Sequence, residues 1–302
     1  MTWEKSTIIV NMSQAIIPPK HIAVLVHPTL EEAQSEAQRV VDYLQSHGVK
    51  DVSMATIYDE AMTQKAQRHE FDLLIALGGD GTMLRVSRLA APLGIPVLGF
   101  NLGRFGFLME IQREECCEPL KELLLGNYRL EQRILLQASL IGKEGNSQTW
   151  EVVNDITICR DTPIRPIRLH ASVDGYPLAS YLADGLVIAT PTGSTAYALA
   201  AGGPVLPPEL HNMVVVPIAP HLCLDRAVVL PDSAVVSVRV NGIQSAVVSI
   251  DGQQPHKMQE EDEMQIKVSD HVVNYVRFHN PGYFYQNLTR SLQRNAETEN
   301  SQ

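Results

Sequence analysis

Cysteine is scarce: four in 302 residues, with Cys116 and Cys117 adjacent, Cys159 and Cys223 alone, and no C-x-x-C pair. That excludes a disulfide scaffold and suggests neither a zinc site nor a dithiol redox centre. No run is long and apolar enough for a membrane helix, and Ser6–Asn11 is too short for the core of a signal peptide. A chain working in the reducing cytoplasm, with no membrane partner, is expected. There is no long Lys/Arg block, and 34 acidic residues outnumber 24 basic ones for a net charge of -10. Nucleic acid is therefore a poor partner, and any phosphate site has to be built locally. Also missing are the Gly-Lys-Ser/Thr of a Walker loop, G-x-G-x-x-G, the G-x-S-x-G elbow of hydrolases, and any fixed-period repeat.

What is present is an ordinary globular mixture, 45% apolar and 19% charged. His21–His27 reads as a buried strand, and Thr29 with Glu32 as a capping box. Ala33, Ala37, Val40, Val41 and Leu44 then recur at helical spacing up to Gly48. The rhythm repeats: strand Val52–Tyr58, helix Glu60–His69, strand Phe71–Leu77, helix Thr82–Ala90, strand Ile95–Phe100, and helix Leu120–Leu125 behind Pro119. This is an α/β layer with a mostly parallel sheet. After about Tyr128 helical spacing fades. Strands are expected at Leu130–Ile141, Thr149–Ile158, Ile167–Val173, Leu186–Ala189, Val214–Ile218, Val235–Val240, Ala246–Ile250 and Val272–Phe278. Asp174-Gly175, Asn241-Gly242 and Asp251-Gly252 are turn signals, and one short helix starts near Ser194. The expected fold is an α/β N-terminal domain (1–128) followed by a predominantly β domain (129–272).

Gly78-Gly79-Asp80-Gly81-Thr82 joins a buried strand to a helix. Its glycines let backbone approach a ligand, and the helix start offers free N–H groups to an anion. Asp80 sits where that ligand would lie; it either holds Mg²⁺, takes a proton from an attacking hydroxyl, or merely caps the helix. A second glycine loop, Asn101–Leu108, follows the next strand, with Arg104 free to meet a phosphate and Phe105 and Phe107 read as packing or lid residues. Asn154-Asp155 interrupts a strand-like stretch; the pair suits adjacent ribose hydroxyls or a plain turn. Asp184-Gly185 opens a strand that ends in Thr190–Tyr197, where Thr190, Thr192, Ser194 and Thr195 gather at a helix start suited to phosphate or adenine, or simply cap it. His221, Asp251 and Gln253 end apolar runs, where turns are the simpler reading.

Together these motifs, in this order from His21 to Phe278, resemble the NAD kinase family; the Gly78–Thr82 loop alone is shared with diacylglycerol kinases and phosphofructokinases. The resemblance implies transfer of the γ-phosphoryl of ATP to the 2′-hydroxyl of NAD, with a divalent cation, Mg²⁺ by preference. It implies inorganic polyphosphate as donor in some members, and a homodimer or homotetramer. It makes Asp80 the catalytic aspartate. Asn154 and Asp155 become ribose-binding residues, Asp184 a nicotinamide-side contact, and Thr195, Ala196 and Tyr197 adenine and ribose contacts, with Tyr197 toward a neighbouring subunit. Gly79, Gly81, Thr82, Asn101, Phe107, Thr192 and Gln253 complete the expected nucleotide-binding set, to which Arg104 is added on its local placement alone, since the family varies there. The family usually carries glutamate where this chain has Asp155, one methylene shorter. The resemblance further implies that residues 273–302 return to the first domain. The competing readings are a lipid or sugar kinase sharing the glycine loop, and a non-catalytic NAD(H) sensor.

Overall fold

The structure, a computed structural model, describes residues 17–29, 31–103, 106–162, 165–221, 223–241 and 245–289. Arg104, Phe105, Gly242 and the tail after Arg294 fall outside them. The first half alternates β1 (His21–Val26), α1 (Glu31–Ser46), β2 (Asp51–Thr56), α2 (Glu60–Gln67), β3 (Leu73–Gly78), α3 (Asp80–Ala90) and β4 (Val97–Asn101). Strands β3 and β4 are buried along their whole length, as expected of parallel strands covered on both faces. Helix α1 drops Ala33, Ala37, Val40, Val41 and Leu44 into the core, as its spacing predicts. The capping box does not form: the Thr29 hydroxyl meets His27, and Glu32 pairs with Arg113.

A short β5 (Ile111–Gln112) and α4 (Cys117–Leu125) lead to the second half. There follow β6 (Arg129–Ile141), β7 (Ser147–Val152), β8 (Asp155–Arg160), β9 (Ile167–Val173), β10 (Tyr176–Ala183) and β11 (Gly185–Ala189). After a four-residue helix, α5 (Tyr197–Ala200), come β12 (Asn212–Ile218), β13 (Val228–Pro231), β14 (Val236–Asn241), β15 (Ala246–Ile250), β16 (His256–Met258) and β17 (Glu263–Arg277). The change of rhythm after Tyr128 does not end the sheet. One eleven-stranded mixed sheet runs β10-β9-β14-β17-β4-β3-β1-β2, with β5 beside β4, and β6 joining β17 to β7. A six-stranded antiparallel sheet, β13-β12-β11-β8-β15-β16, faces its β half. Leu136, Ile158, Leu169, Tyr181, Ile188, Val238 and Ile266 fill the space between the sheets.

Two expectations change. The stretch Thr149–Ile158 is not one strand: β7 belongs to the large sheet and β8 to the small one, and the chain crosses at Val153-Asn154. The last strand is not Val272–Phe278 but the 15-residue β17. Its polar bulge around Ser269, Asp270 and His271 hides the continuity from a reader of hydrophobic pattern. The first part of β17 pairs with β14 and β6; the second pairs with β6 and, at Tyr275, with β4. One strand therefore stitches the α/β half to the β half. Among the described residues no helix is long and apolar enough to cross a membrane.

Candidate active site

The order β4-β3-β1-β2 reverses direction between β1 and β3, and in open α/β sheets the crevice beyond the strand ends at such a reversal is where ligands bind. A cleft of about 1030 Å³ opens there. His27 beyond β1 and Gly79, Gly81 and Thr82 beyond β3 line it, with Tyr58, Arg85 and Arg88. Its far wall is the turn Asp251–His256. At the start of α3 the Thr82 N–H bonds back to Gly79, while those of Asp80 and Gly81 have no partner among the described residues. With Arg85 and Arg88 one and two turns on, this helix end suits an anion despite the chain's net charge.

A smaller pocket, about 370 Å³, adjoins the cleft and shares Asp251 and Gly252 with it. Asn154, Asp155, Thr157, Ala196, Tyr197 and Ser249 line it. Asp155 opens β8 almost fully buried, and its only side-chain partner among the described residues is the Thr157 hydroxyl at 3.2 Å. Burial, reinforced by the nearby charge of Asp251, raises its pKa to about 6. The Asn154 Oδ1 is buried without any hydrogen-bond partner among the described residues. The backbone there is held from behind, because a Cβ on Gly193 would come within 2.1 Å of the Asn154 carbonyl oxygen. Only glycine lets the Thr190–Tyr197 turn approach so closely.

Asp251, which the sequence marks only as a turn, is the residue that joins cleft and pocket. Its carboxylate accepts the N–H groups of Val153, Asn154 and Asp155 at 2.7–3.2 Å and pairs with Arg88 of α3 at 2.6 Å. The crossing between sheets thus keeps its backbone hydrogen bonds satisfied without a strand partner. It also fixes Asn154-Asp155 against the helix of the glycine loop. Arg85 and Arg88 stand outside every motif that the sequence offers; their i, i+3 spacing behind Thr82 in an acidic chain is the signal that marks them.

The remaining expected residues divide. Gly79, Gly81, Thr82 and Gln253 line the cleft; Asn154, Asp155, Ala196 and Tyr197 line the pocket. Asp80 does not point into the cleft. Its carboxylate lies under the second glycine loop, accepting the Phe107 and Leu108 N–H groups at 3.1 and 3.3 Å. The fit is so close that a Cβ on Gly106 would overlap it at 2.1 Å. Burial raises the Asp80 pKa above the usual value, against the pull of those N–H groups and of Arg133 and Arg277. Phe107 contributes its backbone N–H, and it lines a small cavity of about 30 Å³ with Met109 and Arg277 rather than the cleft. Asn101 is buried and braces the loop, donating to Gln112 Oε1 and accepting from the Gly103 N–H. Asp184 is engaged by Arg160 at 3.1 Å.

The hydroxyl cluster of Thr190–Tyr197 is mostly spent on itself. The Thr190 hydroxyl donates to Val153 C=O and accepts from the Gly193 N–H; Ser194 donates to Pro191 C=O; Thr195 donates to Thr192 C=O. The Thr192 hydroxyl lies 3.5 Å from Arg133. These side chains shape the turn that presents Ala196 and Tyr197, and α5 behind it is too short to hold an anion by itself.

Comparison with known proteins agrees with this geometry. Residues 21–128 match the ATP-NAD kinase N-terminal domain, and residues 153–278 match the ATP-NAD kinase C-terminal domain. The NAD kinase of Caldanaerobacter subterraneus subsp. tengcongensis is 35% identical over 272 residues, covering 88% of this chain and 96% of the relative. That of Chloroflexus aggregans is 35% identical over 275 residues, covering 91% and 99%. Among solved structures, an Archaeoglobus fulgidus NAD kinase in complex with ATP aligns with TM-score 0.70 at 26% identity, over 88% of this chain and 96% of that one. Yeast NADH kinase complexed with NADH aligns with TM-score 0.80 at 24% identity, over 91% and 88%, a likeness of fold. Matches to both halves, where a lipid or sugar kinase would share only the glycine loop, place the chain in the NAD kinase family.

Proposed function

We propose that this chain transfers the γ-phosphoryl group of ATP to the 2′-hydroxyl of the adenosine ribose of NAD. In this reading NAD occupies the pocket of Asn154, Asp155, Ala196 and Tyr197, and the ATP phosphates lie in the cleft against the start of α3. The observation that carries it is the desolvated Asp155 carboxylate on the pocket wall, whose one side-chain donor among the described residues, the Thr157 hydroxyl, serves only one of its two oxygens. A ribose hydroxyl supplies a donor to the other. Among the described residues no group of three or more His, Cys, Asp or Glu could hold a metal ion. In this reading Mg²⁺ enters as part of the substrate, MgATP. Asp80 accepts the hydroxyl proton in the same reading, although its carboxylate lines neither the cleft nor the pocket; two of its lone pairs serve the loop, and each oxygen keeps another. The four free thiols fit a cytoplasmic setting. Tyr197, 45% exposed at the pocket edge, fits a homo-oligomer, dimer or tetramer, which a 33.4 kDa monomer in sedimentation at micromolar concentration would refute.

The test is NADP formation from NAD and MgATP between pH 5 and 8. A carboxylate accepts hydroxyl hydrogens best when ionised, so KM for NAD is expected to fall as pH rises through about 6, where Asp155 loses its proton. Asp155→Asn is expected to raise KM and flatten that dependence, and EDTA to stop turnover without shifting the melt. The apo protein gives an independent check. A carboxyl whose pKa is raised on folding stabilises fully below its unfolded value of 3.8, and that contribution is lost as pH climbs to about 6. Asp155→Asn therefore stabilises the apo protein at pH 7.5 by up to about 3 kcal/mol and changes little near pH 4. Absence of NADP would leave the sensor reading standing; a wild-type KM in the variant would return Asp155 to a turn residue.

A further inference from the structure

The loop that clamps Asp80 rests on a buried ionic cluster for which the reaction described above has no use. Arg133 of β6 and Arg277 of β17 are both buried. Arg277 donates to the Leu108 carbonyl at 3.0 Å, and the N–H of that same residue donates to Asp80. Arg277 also reaches Glu110 at 3.1 Å and Glu131 at 3.2 Å. Arg133 grips Glu131 through Nε and Nη2 at 2.8 and 2.6 Å, and Arg129 meets the other Glu131 oxygen at 3.0 Å. The Tyr275 ring sits 5.1 Å from both buried guanidinium carbons, and its hydroxyl bonds Ser87 Oγ of α3 at 2.9 Å. The cluster therefore touches the helix that carries Asp80 on one side and the loop that holds its carboxylate on the other.

The charges of the cluster beneath the loop can be named element by element, and of these Arg133 and Arg277 act on Asp80. From β6 come Arg129, Glu131 and Arg133; from β17, Arg277 and the phenol of Tyr275; from the loop, Glu110, which also accepts from the ring of His279. Three guanidinium groups thus face two carboxylates, and arginine does not release its proton in a protein. Asp80 is the third carboxylate. We propose that Arg133 and Arg277 are positioning residues for the reaction: Arg277 aims the Asp80 carboxylate through the Leu108 peptide, and the positive charge it shares with Arg133 beneath the loop favours the carboxylate as acceptor of the ribose hydroxyl proton. The inference rests on the reading of Asp80 as the acceptor of that proton. Burial alone drives Asp80 toward the neutral acid, and the two arginines oppose it.

The experiment is kcat against pH from 5 to 9 at saturating NAD, which removes the contribution of Asp155 to KM. Removing a positive charge beside Asp80 makes the proton harder to lose, so Arg133→Met is expected to move the acid limb of kcat up by about one pH unit. Just below that limb, kcat falls about tenfold while KM for NAD stays within about twofold. Arg133→Lys, which keeps the charge, is expected to restore most of the wild-type limb. Glu131→Gln removes a negative charge from the same cluster and should move the limb the other way, to lower pH. A merely structural role gives no reason for opposite signs, and Glu131→Gln carries the test if Arg133→Met does not fold. Folded variants of Arg133 and Glu131 with an unmoved acid limb, alongside an inactive Asp80→Asn, overturn the inference. An Asp80→Asn protein with wild-type kcat would instead overturn the reading of Asp80.

Discussion

Asp80→Asn is expected to lower kcat by about 10²-fold or more while NAD binding survives. The substitution keeps the side chain's size but removes its capacity to take a proton. The structure adds a second consequence. Asp80 accepts one loop N–H on each oxygen, whereas asparagine can accept on only one and turns a donor toward the other. One hydrogen bond to the loop is then lost, worth about 1 kcal/mol, and relief from burying a charge there offsets part of that loss. The measurements are kcat, NAD affinity by calorimetry and a thermal melt. A folded, NAD-binding and nearly inactive protein supports the chemistry. Near wild-type kcat removes Asp80 from catalysis, and collapse of the melt with loss of NAD binding makes it a loop anchor.

The largest loss of stability is expected at Asp251. Asp251→Asn places an NH₂ group where one oxygen accepts from both Arg88 and the Val153 N–H. It leaves Arg88 without its charge partner and one backbone donor unmet. Breaking one side of a buried ion pair costs about 3–5 kcal/mol, which for a chain of this size lowers the melting temperature by roughly 5–8 °C. Because the Asn154-Asp155 backbone hangs on the same carboxylate, KM for NAD should rise with it. Combining the change with Arg88→Met should cost less than the sum of the single variants, since the second removes the charge stranded by the first. A melt shifted by no more than about 2 °C would show that water replaces the carboxylate, and that Asp251 does not hold the two halves of the site together.

The local pattern of residues was enough to determine the α/β alternation from β1 to β4, the helix α1, the Asp174-Gly175 hairpin and the placing of Gly79, Gly81 and Thr82 at the carboxyl edge of a parallel sheet. Each follows from short-range rules: buried runs, helical spacing, and turn residues that tolerate positive φ, as Asp174 and Gly175 do at 51° and 80°. The motif string also marked Asn154, Asp155, Ala196 and Tyr197, because those residues serve one pocket while standing in separate, recognisable turns. Only the tertiary structure decided the rest, and in each case the partner is distant in the chain. Strand β7 ends at Val152 because the carboxylate of Asp251, about a hundred residues later, takes the next three N–H groups. Asp80 turns beneath the loop rather than toward the cleft because Phe107 and Leu108 meet it there, over arginines supplied by β6 and β17. The hydroxyls of Thr190, Ser194 and Thr195 looked available for a nucleotide, yet they are consumed by carbonyls that a folded turn brings within reach. A sequence shows which groups can donate and accept; which of them remain unpaired, as Asn154 Oδ1 does, is settled by what the rest of the chain packs against them.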